Sequence, residues 1–566
     1  MVKRKNLTTM KEHTSETWLA KKNTNPSSHL LSVPSHIDPS NFLYNQGYSD
    51  GLPLIPCTPS HLAWMLTGTD LPASTVIGKM PPILAPCTVS NIAVNAVMAG
   101  CLPSHLRIII SSIQAMLEPA FNLHGCHATT MGVTPLLIIN GEDVSREADL
   151  NFRHGAMGSG QNNRANATIG RAVKLVLQNC GRAKLGGTES TTIGGPRKFT
   201  MCLTENYEVL KTGPWQPFRV GNKVTVHAVS SGLDQLIDTK ADLNLFITFM
   251  AGKIANLWTP NLPMRLLECV VIICPEHYKM LHNSGIASKS QLAQLLYDES
   301  NAICQTSFST AIRAVTRNKT STTISNVGAG IGYVISGIGW LLHKLAPVTK
   351  RSALNKFAWT MAALFTIRRK GYRAALFVAG MLALGYGNVL EKIARLSTAK
   401  LSSKMLHPDS IHIVVSGSKA GKFSAVCPGF GIGLHESMRL STCVTKSIPN
   451  APISMEKDVE VLSLAVAEAS SKKDFARMIC DPQGQNELPK TIQAKRTNAP
   501  PKTLGFMDIS KPGGSDFFDR LSKLCKDQGV KVIKRYQKPT FSRQCPMQLR
   551  QRILNECDAV VLSLAD

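Results

Sequence analysis

Cys545 stands directly before Pro546, in the loop "QKPTFSRQC" that also holds Lys538 and Ser542. Proline favours the first position of a helix, so this thiol is expected at or beside a helix N-terminus. That position lowers a thiol pKa and suits redox chemistry. The plainer alternative is a small apolar residue in a loop. A second turn, "KPGGSD", offers Gly513, Gly514, Ser515 and Asp516 as a helix entry that could shape a pocket; Ser515 or Asp516 would cap the helix. A third stretch, "GSGQNNRANATIG" (158–170), is a polar loop opening a helix. Its backbone N–H groups, with Arg164, Asn166 and Arg171, could hold a carboxylate or phosphate, or could simply cap the helix. A fourth, "GSKAGKFS" (417–424), follows a strand as a P-loop does, but its glycine spacing is one residue short and Phe423 precedes Ser424. Anion binding through Lys419 and Lys422 is therefore expected rather than nucleotide triphosphate binding. "HGCH" (124–127) invites a metal reading, yet close neighbours rarely ligate one ion and no distant ligand motif supports it. It is read as structural, and neither metal nor cofactor is expected.

These residues need elements to position them. "TPLLIINGED" reads as a strand into a turn, and "RANATIGRAVKLVLQNCG" as a helix with Ile169, Val173, Leu175 and Val176 inward and Gly181 past its end. "LLECVVIICPEHYKML" reads as a strand and then a helix from Pro275; "IHIVVSGS" is another strand. Strands alternate with helices, which predicts an α/β protein. After the polar linker 485–502, residues 503–566 read as β-α-β-α-β, half of a doubly wound sheet. Phe517, Leu521, Leu524 and Cys525 are expected on the buried face of its first helix. Ligand sites in such sheets lie beyond the carboxyl ends of the strands, which is where 511–516 and 538–545 fall. The predicted organisation is a disordered leader (1–40), a large body (41–310 and 401–484), an apolar helical segment (311–400), the linker and the C-terminal domain.

Net charge is +26, but the basic residues are spread out and no zinc-finger, RNA-binding or basic-heptad pattern occurs, so nucleic acid is not expected as a partner. Fifteen cysteines, an odd number without C-x-x-C, argue against a disulfide framework and for a reducing, cytoplasmic setting. The stretch 324–390 holds two uncharged runs with basic flanks. It suits either buried helices or membrane contact.

The sequence resembles the UGSC family of selenoproteins. "SDGLPLIPCTPSHLAWML", "NIAVNAVMAGCLPSHLRIIISSIQAMLEPAFNLHGCHATT", "GSGQNNRANATIGRAVKLVLQN" and "CPEHYKMLHNSG" carry the resemblance upstream. "DISKPGGSDFFDRL", "KPTFSRQCPMQLRQRI" and "CDAVVLSLAD" carry it in the C-terminal domain. In that family the third strand runs into U-G-S-C, with selenocysteine or cysteine at the first place. The resemblance therefore implies a selenol- or thiol-dependent oxidoreductase acting on a small molecule or a thiol/disulfide substrate. It also implies a reactive loop just after Asp566, so no catalytic residue is expected within the chain, which by this reading is truncated and has little turnover as it stands. A non-catalytic anion or small-molecule binding protein is the alternative.

Overall fold

The computed structural model describes residues 30–232, 234–237, 242–257, 268–317, 407–419, 421–430, 442–452, 478–483, 501–508, 514–538 and 545–563. The strands are β1 (Leu30–Ser32), β2 (Val76–Met80), β3 (Ala85–Thr88), β4 (Val133–Asn140), β5 (Cys202–Thr204), β6 (Lys223–Ser230), β7 (Asp234–Ile237) and β8 (Cys269–Ile273). They continue with β9 (Ile411–Val415), β10 (Phe423–Pro428), β11 (Val444–Ser447), β12 (Met478–Cys480), β13 (Thr503–Asp508), β14 (Val532–Gln537) and β15 (Ala559–Ser563). The helices that matter below are α1 (Val89–Ala99), α2 (Pro103–Leu117), α3 (Leu123–Ala128), α4 (Arg164–Cys180), α5 (Leu243–Ala255), α6 (Pro275–Asn283), α7 (Lys289–Arg317), α8 (Gly514–Asp527) and α9 (Met547–Glu556).

The body contains two four-stranded sheets, ordered β11-β6-β4-β5 and β7-β10-β8-β9. Alternation along each strand shows how they stack, because successive side chains point to opposite faces. In β4, Leu137 and Ile139 join a core with α1, α2 and α4, while Leu136 and Ile138 face the other way. In β8, Cys269, Val271 and Ile273 pack on α5, α6 and α7, while Val270 and Ile272 face the other way. The two inward sets meet in one cluster with Leu203, Val229, Val414 and Cys427. The body is thus four layers deep: helices, sheet, sheet, helices. That explains why "CVVII" is apolar throughout, since both of its faces are covered. The bridge between Val229 and Gly429 stitches the sheets together, as does the bond from Asn206 N to Val415 O at 2.8 Å.

Helix α4 forms as its sequence dictates, with Ile169, Val173, Leu175 and Val176 all buried. Gly181 ends it without a left-handed turn; a Cβ there would stand 2.2 Å from Pro81 O, so close approach of two chains demands the glycine. Residues 30–40 depart from the expected disordered leader (1–40). Leu30–Ser32 pair antiparallel with Met478–Cys480, and Pro39–Asn45 form a helix capped by Asp38. The apolar "LLSV" finds a partner more than four hundred residues away, which local composition cannot reveal. The stretch 324–390, most of the linker 485–502 and most of the 538–545 loop fall outside the described residues. Among the described residues no helix is long and apolar enough to cross a membrane.

The C-terminal domain is a parallel sheet ordered β14-β13-β15. Leu504 and Phe506 pack beneath α8, and Met507 packs on the opposite face with Ile553 of α9. The predicted face of α8 needs correction. Phe518, Leu521 and Cys525 turn inward, whereas Phe517 is 46% and Leu524 62% exposed. Two apolar stripes share Leu521, and stacking of Phe518 on Phe506, with ring centres 4.7 Å apart, selects one of them.

Candidate functional site

The carboxyl ends of β13 and β14 meet where Lys538 N donates to Asp508 O at 2.7 Å. Beside them Pro546 has an extended backbone (φ −52°, ψ 143°) and caps α9, which begins only at Met547. Cys545 is therefore outside the helix, not at its first turn. Burial pushes its thiol up, against the opposing pull of Arg550 and Lys538. Arg550 Nε also donates to the Cys545 carbonyl at 2.7 Å. The expected lowering by a helix N-terminus does not prevail, because that field fades within a turn and desolvation of the thiolate outweighs it. In the other turn, α8 starts at Gly514, with Ser515 and Asp516 in its first turn. Gly513 and Ser542 lie outside the described residues. The cationic edge also acts on the body: the His124 ring of α3 is held below its usual value by burial, then by Lys538 and Arg550.

Arg164, Arg171 and Asn166, predicted to bind an anion, are occupied by the protein itself. Arg164 donates twice to Gly100 O, at 3.1 and 3.3 Å, closing the C-terminus of α1. Arg171 holds Asp50 with two bonds of 2.8 Å and also reaches Leu52 O and Pro53 O. Asn166 accepts from Asn151 N and donates to Asn151 O and Ala156 O, pinning the loop before α4. The stretch 417–424 runs from β9 into β10 and not into a helix, so it lacks a P-loop's helix N-terminus. Its Gly421 N–H, at φ +114°, already donates to Glu276 Oε2 at 3.0 Å. Lys419 is exposed and Lys422 half-buried in this turn. Arg164, Asn166 and Arg171 lie on α4, Lys419 and Lys422 beyond β9, and Cys545 in the C-terminal domain.

The sequence did not disclose the polar seam between the two sheets. At one end Glu205 accepts from Asn140 Nδ2 (2.6 Å), Phe218 N (2.6 Å), Val415 N (3.1 Å) and Lys289 Nζ (2.5 Å). Burial lowers Lys289, and Glu205 opposes that shift. Phe218 then leads to His412, their ring centres 5.9 Å apart. Beyond it, His412 Nε2 lies 3.0 Å from Glu268 Oε2 and His227 Nε2 lies 3.2 Å from Glu268 Oε1. The second contact has the distance of a hydrogen bond but not its alignment, and among the described residues neither ring nitrogen of His227 has an aligned hydrogen-bond partner. Thr442 donates from its backbone N and, at 3.0 Å, from Oγ1 to Glu268 Oε1. Burial alone would raise the Glu268 carboxyl, but His227 and His412 outweigh it and hold the group well below the usual carboxylate range. Strand parity explains the meeting. His227 shares the inward face of β6 with Val229, and His412 that of β9 with Val414.

"HGCH" forms most of α3. His127 is buried with both ring nitrogens unpartnered, near a Glu189 carboxylate that Lys174 (2.5 Å) and Lys198 (2.6 Å) clamp. Cys126 is buried and its thiol raised by burial.

The fold is that of an α/β protein with a four-layer body and a small parallel C-terminal sheet whose carboxyl edge holds Cys545, Lys538 and Arg550. Residues 478–566 match the UGSC family, so the chain ends in a UGSC-like domain. The match begins at β12, the strand paired with β1, and so includes a piece that packs on the body. No curated protein and no solved structure matches the chain.

Proposed function

We propose that the protein is a thiol- or selenol-dependent oxidoreductase whose UGSC-like domain carries the reactive loop. The observation that supports it best is the parallel β14-β13-β15 sheet, with its carboxyl ends on one edge beside Cys545, Lys538 and Arg550. In α/β sheets of this type that edge is where ligands bind. Lys538 and Arg550 would draw an anionic disulfide or carboxylate substrate to it. The reaction is a two-electron exchange: two reduced enzyme groups become one bond between them, and the substrate disulfide becomes two thiols. By analogy with the family, the attacking group would belong to a loop that follows a third strand; Cys545, its thiol raised by burial, suits the resolving partner better than the attacker. An odd cysteine count with ten of the fifteen buried fits a reducing compartment, and a cytoplasmic location belongs to the same proposal. So do the absence of a nucleic-acid partner and a membrane contact through 324–390.

The test compares the 566-residue chain with a version extended by the family's loop in its cysteine form. Dithiothreitol serves as donor and a small disulfide as substrate. The loop-bearing version should turn over and the shorter chain should scarcely do so. Equal, background-level rates in both would favour the non-catalytic binding protein instead.

A further inference from the structure

We propose that His227, Glu268 and His412 form a site for a divalent transition metal, of the zinc class, between the two sheets of the body. Three observations carry this. One donor atom from each residue can be chosen so that all three lie within 4.8 Å of one another. The two closest approaches, 3.0 and 3.2 Å, are close to the roughly 3.3 Å that separates donors bound at about 2.0–2.1 Å in a tetrahedral site. The side chain of His227 is fully buried, and among the described residues neither of its ring nitrogens makes an aligned hydrogen bond. Buried polar groups are almost always satisfied, so a fully buried imidazole that approaches a carboxylate at 3.2 Å without an aligned hydrogen bond needs an explanation, and a bound cation is one.

The donor types agree with the assignment. Two imidazoles and one carboxylate are a borderline-soft set that suits zinc, cobalt or iron(II) and not calcium or magnesium, which prefer oxygen. The surroundings also resemble a built site. Thr442 fixes Glu268 Oε1 through its backbone N and its hydroxyl. The three residues come from rigid places: the middle of β6, the residue leading into β8, and the second residue of β9. The cation would join the two sheets in the layer where they otherwise meet through apolar side chains and the Glu205 network. This inference does not depend on the proposed redox function, because the site lies in the body and not in the UGSC-like domain.

The full chain, stripped with chelator and dialysed, should bind about one equivalent of Zn2+ by elemental analysis and show a tetrahedral absorption band with Co2+. Zn2+ should also raise its thermal midpoint. His227→Ala and His412→Gln should each weaken binding by more than the roughly 10–100-fold that loss of an outer-shell partner brings. Circular dichroism checks that these variants fold. If either unfolds, the wild-type Co2+ spectrum and zinc stoichiometry decide alone. A folded wild-type chain that takes up neither ion overturns the proposal. So do folded variants that bind as tightly as wild type.

Discussion

Arg171 shows how a residue chosen for ligand chemistry can belong to the scaffold. Its guanidinium meets an Asp50 carboxylate whose side chain is 2% exposed. Removing one partner of a buried pair leaves the other charge without compensation, at about 3–5 kcal/mol. Arg171→Ala should therefore lower stability by that order in urea unfolding, and Arg171→Lys should recover only part of it, since an ammonium cannot repeat the two-pronged bond. Loss of ligand binding at unchanged stability would instead restore Arg171 as a binding residue. Cys545 gives a second test at this scale. Burial raises its thiol, while Lys538 and Arg550 pull it down. Iodoacetamide should label it more slowly at pH 7 than an exposed thiol, and Lys538→Ala should slow it further, both read by mass spectrometry. Faster labelling in Lys538→Ala would contradict the assigned cause.

Elements were legible where one local rule decided them. Helix α4 has its inward stripe and terminal glycine written into eighteen residues, and "CVVII" can only be a covered strand. Helix α8 was ambiguous because Phe517 and Phe518 open two stripes that share Leu521, and only packing against Phe506 chooses between them. Phe518→Ala should accordingly destabilise the C-terminal domain by about 3–5 kcal/mol. Phe517→Ala should cost about 0.5 kcal/mol or less, as exposed substitutions do. Hydrogen exchange over 503–563 would separate the two, and equal effects would mean the helix is rotated from its described position. The loop between α4 and β5 yields a pH prediction. Burial opposes ionisation of Glu189, yet Lys174 and Lys198 hold its pKa down to about 2 from the usual 4.5. A depressed acid stabilises the fold above its unfolded pKa, and that stability fades as pH falls from about 4.5 toward about 2. Glu189→Gln should flatten this part of the acid unfolding curve. An unchanged slope would assign it to other carboxylates.

At the scale of the molecule, the sequence disclosed alternation but not stacking. His227, Glu268 and His412 share no local motif, and His412 is 144 residues from Glu268, so only the face-to-face packing of the sheets unites them. The adjacent histidines of "HGCH" drew attention because they are close in sequence. The C-terminal sheet differs from the body in cover: Val560 and Leu562 of its edge strand β15 are 41% and 48% exposed, whereas β8 is buried throughout. Amides of β15 should exchange well before those of β8, and equal protection would mean that the edge is covered in solution. The pairing of β1 with β12 has a consequence for synthesis. Leu30 and Cys480 face each other across 450 residues (480 − 30) of chain. At about 5–20 residues per second, a ribosome needs roughly 20–90 seconds to make the second partner after the first. Throughout that interval the β1 backbone, lacking its ladder, is open to the wrong neighbour.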